Sequence, residues 1–177
     1  MYLSCLGKGP TVFADSLHQW IAETRDLKID KPRSLSIDVQ TLLPHRGNML
    51  LINSLNRIAR DKTSLAATMS VNKDDPVFHG HFPGDPVYPG MLLVEAIAQA
   101  GICLVNLVSC KDVSDGLRVR AIKVLYAEFA GEVKPGDALD IEVKIFDVTP
   151  FLSVFGGRIL RDDALQAIAI VEVYVGE

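Results

Sequence analysis

The chain has 177 residues, a length that fits one domain with a single hydrophobic core. Its residues are 49% hydrophobic and 23% charged, which is typical of a globular protein and excludes a disordered one. Lys and Arg number 18 against 22 Asp and Glu, and the net charge of −4 argues against a nucleic-acid binder and against docking on an anionic membrane. A soluble enzyme or a binding module for a small or acyl-type ligand remains.

The cysteines and the N-terminal residues bear on the cellular compartment of the protein. The three cysteines are widely spaced and form no CxxC pair, so they predict neither a disulfide framework nor a zinc site. No basic segment followed by an apolar run marks a signal peptide, and we expect a cytoplasmic protein. The longest apolar run, residues 91–108, contains Glu95, Gln99 and Asn106. These polar groups indicate a helix buried in protein rather than a membrane span.

The first 34 residues differ in character from the rest of the chain. We expect an N-terminal extension (1–34) that holds one amphipathic helix over residues 14–26. A short helix that is capped at Ser36 or Asp38 and ends near Pro44 should follow it.

Hydrophobic alternation and β-branched residues predict the strands of a second unit, residues 35–177. Apolar and polar side chains alternate with a period of two over residues 63–71. The other predicted strands are 49–59, 117–129, 139–145, 151–160 and 165–175. Between them, residues 76–90 are rich in proline and glycine, so this loop has few accessible backbone states and can hold side chains in fixed directions.

The architecture follows from the apolar helix. A helix that is apolar nearly all round must be enclosed by protein, and five or six strands are available to enclose it. An antiparallel β-sheet wrapped around one long central helix satisfies both conditions. The sequence therefore predicts the hot-dog fold, of the α+β class.

Glu95 is the first candidate for chemistry, because a carboxylate in a buried helix is unfavourable unless it is paired, protonated or used. Gln99 lies one turn later on the same face, within hydrogen-bond reach of Glu95 or of a ligand. The ordinary alternative is a helix face that emerges at an interface, where both groups are solvated.

His81 is the second candidate. It forms an H-x-H pair with His79, but no third ligand stands at a known spacing, and no metal site is predicted. A histidine and a carboxylic acid whose pKa is raised by burial can serve as general base and acid. Gly90 opens the helix, whose free N–H groups could receive a carbonyl oxygen as negative charge develops on it. A base, an acid and N–H donors within fifteen residues predict an enzyme that removes a proton next to a carbonyl group and expels a leaving group from the next carbon.

Two motifs, LLPHR (42–46) and GHFPGDPVYPGMLLVEAIAQAG (80–101), closely resemble the β-hydroxyacyl-acyl-carrier-protein dehydratases of type II fatty acid synthesis. The family pattern GHFPG-x-P-x-x-PG-x-x-x-x-EA-x-AQ is filled at every fixed position, and VKPGD (133–137) matches a further turn. The resemblance implies dehydration of a (3R)-hydroxyacyl thioester to the trans-2-enoyl thioester, without cofactor or metal. The related dehydratase-isomerases carry aspartate at the helix acid, so Glu95 favours the plain dehydratase.

By position, the resemblance implies a role for each site residue. His81 would remove the C2 proton, Glu95 would protonate or orient the departing 3-hydroxyl, and Gln99 would support Glu95. The backbone N–H of Gly90 would polarise the thioester carbonyl. Candidate walls of an acyl tunnel, with ordinary core packing as the alternative for each, are Phe78, Phe82, Val87, Tyr88 and Met91.

The resemblance also implies partners. The histidine of one protomer would meet the glutamate of the other in a homodimer, with a trimer of dimers as a larger assembly, and an acyl carrier protein would deliver the substrate. Where the family commonly shows basic residues, this chain reads AEFAGEV (127–133), and Glu128 and Glu132 weaken the docking site for an acidic carrier. Alternative cations, unless they form an ordinary solvated face, are Arg118, Arg120, Lys123 and Lys134.

Two other function classes stay open at this point. A hot-dog protein can bind acyl chains or a partner without turnover, but the intact His81 and Glu95 argue against that reading. An acyl thioesterase is the second alternative, and thioesterases of this fold place their carboxylates elsewhere and lack the GHFPG loop.

Overall fold

The computed structural model of the protein describes residues 10–109 and 118–176. Within these ranges lie two α-helices, α1 (Pro10–Arg25) and α2 (Gly90–Ser109). The strands are β1 (Arg33–Ser34), β2 (Ser54–Ile58), β3 (Ser64–Ser70), β4 (Arg118–Phe129), β5 (Ala138–Val148), β6 (Leu152–Arg161) and β7 (Ala164–Gly176). Three short 3-10 helices span Val39–Thr41, Gly47–Met49 and Pro76–His79.

The strands form one antiparallel sheet in the order β1-β2-β3-β5-β6-β7-β4. The period-two pattern decides which side chains face the core: Leu139, Ile141 and Val143 of β5 are at most 2% exposed. These side chains and their counterparts on the neighbouring strands pack against α2, which contacts β3, β5, β6 and β7. The predicted hot-dog fold is confirmed.

The central helix α2 is long and apolar enough to cross a membrane by length and composition, but 72% of its most apolar window is buried inside the protein. Two glycines allow it to lie close to the sheet. A Cβ on Gly101 would come within 2.1 Å of the Phe155 ring, and one on Gly157 of β6 within 2.6 Å of Ile97. The apolar surface of α2 is therefore buried against the sheet and away from water, and α2 is the central helix of the hydrophobic core.

The N-terminal helix α1 covers the opposite face of the sheet. Gly156 is adjacent to Gly157 and points to the other face of the sheet, where a Cβ would lie 2.3 Å from Thr24 of α1. Trp20 stacks on Phe146 of β5 with ring centroids 5.3 Å apart, and Glu23 forms an ion pair of 2.5 Å with Lys144. The helix predicted in the extension is therefore packed against the outer face of the sheet.

The structure corrects two boundaries that the sequence predicts. The strand predicted at 49–59 begins only at Ser54, because the backbone of Met49 and Leu51 is hydrogen-bonded to the Gln99 side chain instead of to a neighbouring strand. The short helix predicted before Pro44 is a single 3-10 turn, Val39–Thr41, which Asp38 caps by accepting a 2.9 Å hydrogen bond from the backbone N–H of Gln40.

Candidate active site

His81 lies in the loop that joins the third 3-10 helix to α2. Its Nδ1 is 2.8 Å from the carbonyl oxygen of Val87, and the backbone N–H of Val87 donates to the carbonyl of His81 at 2.9 Å. Because a carbonyl oxygen can only accept, we assign the ring proton to Nδ1. The lone pair of the neutral imidazole then stands on Nε2, which is the arrangement a general base requires.

An open pocket of about 460 Å³ brings His81 together with the start of α2. Gly90 is the first residue of α2, so its backbone N–H has no acceptor within the helix. The Phe129 ring lies against this glycine, since a Cβ at Gly90 would be 2.8 Å from it. The pocket walls are His81, Val87, Tyr88, Gly90, Met91, Leu93, Phe129, Ala130, Gly131 and Glu132.

Glu95 belongs to a second cluster, on the side of α2 that faces the segment before β2. His45 Nε2 lies 3.2 Å from its Oε1, and Gln99 donates from Nε2 to the same oxygen at 2.9 Å. The side chain of Glu95 keeps 29% of its surface exposed. The carboxylate is thus held through one of its oxygens, Oε1, and its side chain remains accessible to solvent.

Gln99 connects Glu95 to the chain around it. It is fully buried, donates to the carbonyl of Met49 at 2.7 Å and accepts from the backbone N–H of Leu51 at 3.0 Å. The sequence predicts a hydrogen bond from Gln99 to Glu95 or to a ligand, and the structure shows the former. All the polar atoms of this amide are engaged within the protein.

The direction of the pKa shift at Glu95 differs from the prediction. Burial alone would raise the pKa of this carboxyl, but the hydrogen bonds from His45 and Gln99, together with the electrostatic interaction with His45, hold the pKa below its ordinary value. The sequence shows the burial of the helix and not the two donors that oppose it. Glu95 of the isolated protomer is therefore ionised at neutral pH.

His81 and Glu95 do not meet within one protomer. No hydrogen bond or ion pair joins them among the residues that the structure describes, and Glu95 does not line the His81 pocket. The base candidate and the acid candidate occupy separate clusters that both border the first two turns of α2.

Three of the five predicted wall residues, Val87, Tyr88 and Met91, line the pocket. Phe78 lies in the hydrophobic core, where its ring packs on Tyr88 at 5.9 Å. Phe82 is 54% exposed and stacks on the His81 ring at 4.0 Å. Burial, aided by the charge of Asp75, raises the pKa of Tyr88 to about 12, so its phenol remains protonated.

Sequence reasoning did not assign a role to two parts of the site. Residues 129–132 enter the pocket because β4 pairs with β7 and ends beside the start of α2. The sequence presents His45 only as part of the LLPHR motif, and its contact with Glu95 links segments far apart in the chain. That motif is the only signal for His45, whereas the sequence relates residues 127–133 to carrier docking and not to the pocket.

The acidic residues near the pocket are paired. Glu128 forms a 2.6 Å ion pair with Arg25 of α1, and Lys134 contacts both Asp85 at 2.9 Å and Glu132 at 3.0 Å. Lys134 is thus engaged within its own chain. The remaining predicted cations, all exposed on β4, are Arg118, Arg120 and Lys123.

Comparisons with known proteins identify the family of the chain. A family model described as a FabA-like domain matches residues 43–167. The 3-hydroxyacyl-[acyl-carrier-protein] dehydratase FabZ of Nitratiruptor sp. is 31% identical over 142 residues, which cover 78% of this chain and 95% of that protein. FabZ of Coxiella burnetii is 40% identical over 129 residues, covering 72% of this chain and 89% of that protein.

A solved structure shares the fold. The dehydratase heterocomplex ApeI:P from Xenorhabdus doucetiae superposes with a TM-score of 0.64 at 17% identity, covering 82% of this chain and 93% of that one. The family model matches more than half of the chain, and relatives above 30% identity cover more than two thirds of it. The chain therefore belongs to the FabA-like family of β-hydroxyacyl-acyl-carrier-protein dehydratases.

Proposed function

We propose that the protein dehydrates (3R)-3-hydroxyacyl-acyl-carrier-protein thioesters to the trans-2-enoyl thioesters, in fatty acid synthesis or a related lipid or polyketide pathway. The observation that carries this proposal is the His81 ring, whose Nδ1–H is held by the Val87 carbonyl beside the N-terminus of α2. The FabZ relatives and the family membership support it. The chemistry needs only acid, base and backbone donors.

The proposed step begins at the C2–H bond. His81 Nε2 takes the C2 proton while the Gly90 N–H stabilises the negative charge that develops on the thioester oxygen. The electrons of the broken C–H bond form the C2–C3 double bond, the C3–O bond breaks, and the oxygen leaves as water with a proton from Glu95. His81 thereby gains one proton and Glu95 loses one, and proton exchange with the solvent returns both residues to their starting states before the next turnover.

The proposed reaction is reversible, and the same two residues serve both directions. Ionised Glu95 with protonated His81 is the state that adds water, because the carboxylate accepts a proton from water while the imidazolium protonates C2. Dehydration starts from the opposite arrangement, with Glu95 protonated and His81 neutral. Hydration of an enoyl thioester therefore tests the same base and acid as dehydration.

We propose that the working unit is a homodimer with shared sites, in which His81 of one copy meets Glu95 of the other. The two residues lie in separate clusters of one protomer, and the apolar side chains of Met49, Phe82 and Met91 around them are 48%, 54% and 61% exposed. The long edge strand β4 presents further exposed apolar side chains. Three such dimers would form the larger assembly, and the cytoplasm is the compartment expected for a carrier-dependent enzyme.

Mixing two inactive variants tests the shared site. If His81→Ala and Glu95→Gln protomers exchange freely, half of the dimers carry both variants and one of their two sites is intact, which gives about a quarter of the wild-type activity. Each variant alone should be inactive. No recovery after refolding the mixture, with light scattering reporting dimers, would contradict a site shared between protomers.

The reaction itself is tested by mass spectrometry of a carrier protein loaded with 3-hydroxyacyl groups of several lengths. Loss of one water from the acyl group, absent with His81→Ala and retained with the loop control His79→Ala, is the expected result. Release of the whole acyl group would identify a thioesterase, and an unchanged mass with tight binding would identify a non-catalytic acyl-binding protein. The same data give the chain-length preference.

A further inference from the structure

His45 belongs to the LLPHR motif, and the reaction proposed above gives it no role. Its Nε2 lies 3.2 Å from Oε1 of Glu95, and the two side chains are only 21% and 29% exposed. We propose that His45 is a positioning residue, which holds the Glu95 carboxylate in the direction of the departing 3-hydroxyl. The inference rests on the proposed function and adds a residue to its site.

Both donors that reach Glu95 converge on one oxygen. Gln99 Nε2 and His45 Nε2 contact Oε1, at 2.9 Å and 3.2 Å. Among residues 10–109 and 118–176, no hydrogen bond or ion pair involves Oε2. A carboxylate that is fixed through one oxygen presents the other in a defined direction. Oε2 is therefore the atom that exchanges the proton with the substrate oxygen.

The other nitrogen of the imidazole indicates which tautomer His45 adopts. Nδ1 is buried and has no hydrogen-bond partner in the described part of the chain. A buried N–H without an acceptor is less favourable than an unpartnered lone pair, and such donors are rare in folded proteins. The proton therefore belongs on Nε2, where it is donated to Glu95. A protonated imidazolium would leave an Nδ1–H group buried and unpaired.

The segment that carries the imidazole is fixed to the helix that carries the carboxylate. Asn106 of α2 donates to the carbonyl of Leu42 at 2.8 Å. Arg46 donates from its guanidinium to the carbonyls of Leu43 at 2.6 Å and Gln40 at 3.1 Å, which closes the segment on itself. These hydrogen bonds hold the segment that carries His45 against α2, as a positioning role requires.

The groups around Glu95 define the pH behaviour. His45 is the titratable side chain that contacts it, Arg46 is directed at backbone carbonyls, and Gln99 is neutral. In the proposed dimer, His81 of the second copy joins them. Burial raises the pKa of Glu95 and the hydrogen bond from His45 lowers it, so removal of His45 raises it. The acid limb of hydration, which needs ionised Glu95, should move to higher pH.

The test compares three variants in the hydration of a crotonyl thioester. His45→Phe keeps the ring volume and removes the donor, and His45→Gln restores an N–H near the position of Nε2. His79→Phe is the matched control, because that histidine is exposed and does not contact Glu95. We expect His45→Phe to lower kcat roughly 10- to 100-fold with KM changed less than about threefold. His45→Gln should recover part of kcat, and the control should match wild type.

A second measurement reports the contact independently of turnover. NMR of protein labelled with ¹³C at glutamate carboxyls should show the Glu95 titration at higher pH in His45→Phe than in wild type. Equal kcat and equal Glu95 titration in the two proteins would overturn the inference while leaving the proposed function intact. A fall in kcat explained wholly by a lower melting temperature, without recovery by His45→Gln, would also overturn it. Wild type without hydration or dehydration activity would overturn the proposed function, and with it the reaction that His45 positions.

Discussion

Gln99 donates a 2.9 Å hydrogen bond to Glu95 from one turn further along α2, although Gln99 is fully buried and Glu95 is not. The same amide forms the backbone hydrogen bonds with Met49 and Leu51 that a neighbouring strand would otherwise form. Gln99 therefore contacts the candidate catalytic carboxylate and also fixes the backbone of the segment before β2.

Replacement of Gln99 tests this double role. Gln99→Leu has a similar volume and loses three hydrogen bonds, which removes the partner of the part-buried Met49 carbonyl and leaves the buried N–H of Leu51 unpaired. We expect a loss of about 2–4 kcal/mol in the free energy of unfolding, measured by urea titration. Hydration activity, measured well below the melting transition, should also fall. A variant as stable as wild type would contradict the packing described for residues 49–51.

Phe129 is expected to limit the size of the acyl group. Its ring is 48% exposed, lies against Gly90 and lines the pocket with His81. Phe129→Ala should raise kcat/KM for long 3-hydroxyacyl groups relative to short ones, because the wall beside the helix start is removed. Phe151→Ala is the control, since that phenylalanine is 64% exposed and lies outside the pocket. An unchanged ratio of kcat/KM across chain lengths would exclude Phe129 from the acyl path.

The stacked pair of Trp20 and Phe146 is expected to hold α1 on the sheet. Trp20→Ala should lower the free energy of unfolding by about 1–3 kcal/mol, because it removes a partly buried ring. A double-mutant cycle with Phe146→Ala should give a coupling of about 0.5–1.5 kcal/mol. Additive losses would mean that the two rings contribute independently.

The lowered pKa of Glu95 predicts a pH dependence of stability. A carboxyl whose pKa in the folded protein lies below the ordinary value of 4.5 stabilises the fold above that value, and this contribution is lost as pH falls through the folded pKa. Glu95→Gln keeps the shape and removes the titration. Urea midpoints between pH 7 and the acid transition should therefore decline less steeply in the variant. Parallel declines would show that Glu95 carries no net stabilising interaction.

The sequence predicted the strands well where alternation is regular. The strand predicted at 139–145 lies within β5, and the one at 165–175 lies within β7. At 49–59 only the second half forms a strand, β2, because an apolar run does not reveal that a distant amide will take the backbone hydrogen bonds of the first half. A local hydrophobic pattern indicates that a segment is buried, but it does not indicate which group will hydrogen-bond to its backbone.

The sequence alone predicts that an antiparallel sheet encloses one apolar helix, and it identifies the loop and helix positions of His81 and Glu95. Periodicity and composition are local, and they suffice because burial of apolar surface drives the fold. The contacts of His45 and Gln99 with Oε1 of Glu95, and the separate pocket that holds His81, become visible only in the folded chain. The same is true of the packing of α1 on the outer face of the sheet. These contacts join segments distant in the chain, so they depend on strand register, helix placement and rotamers that no local pattern contains.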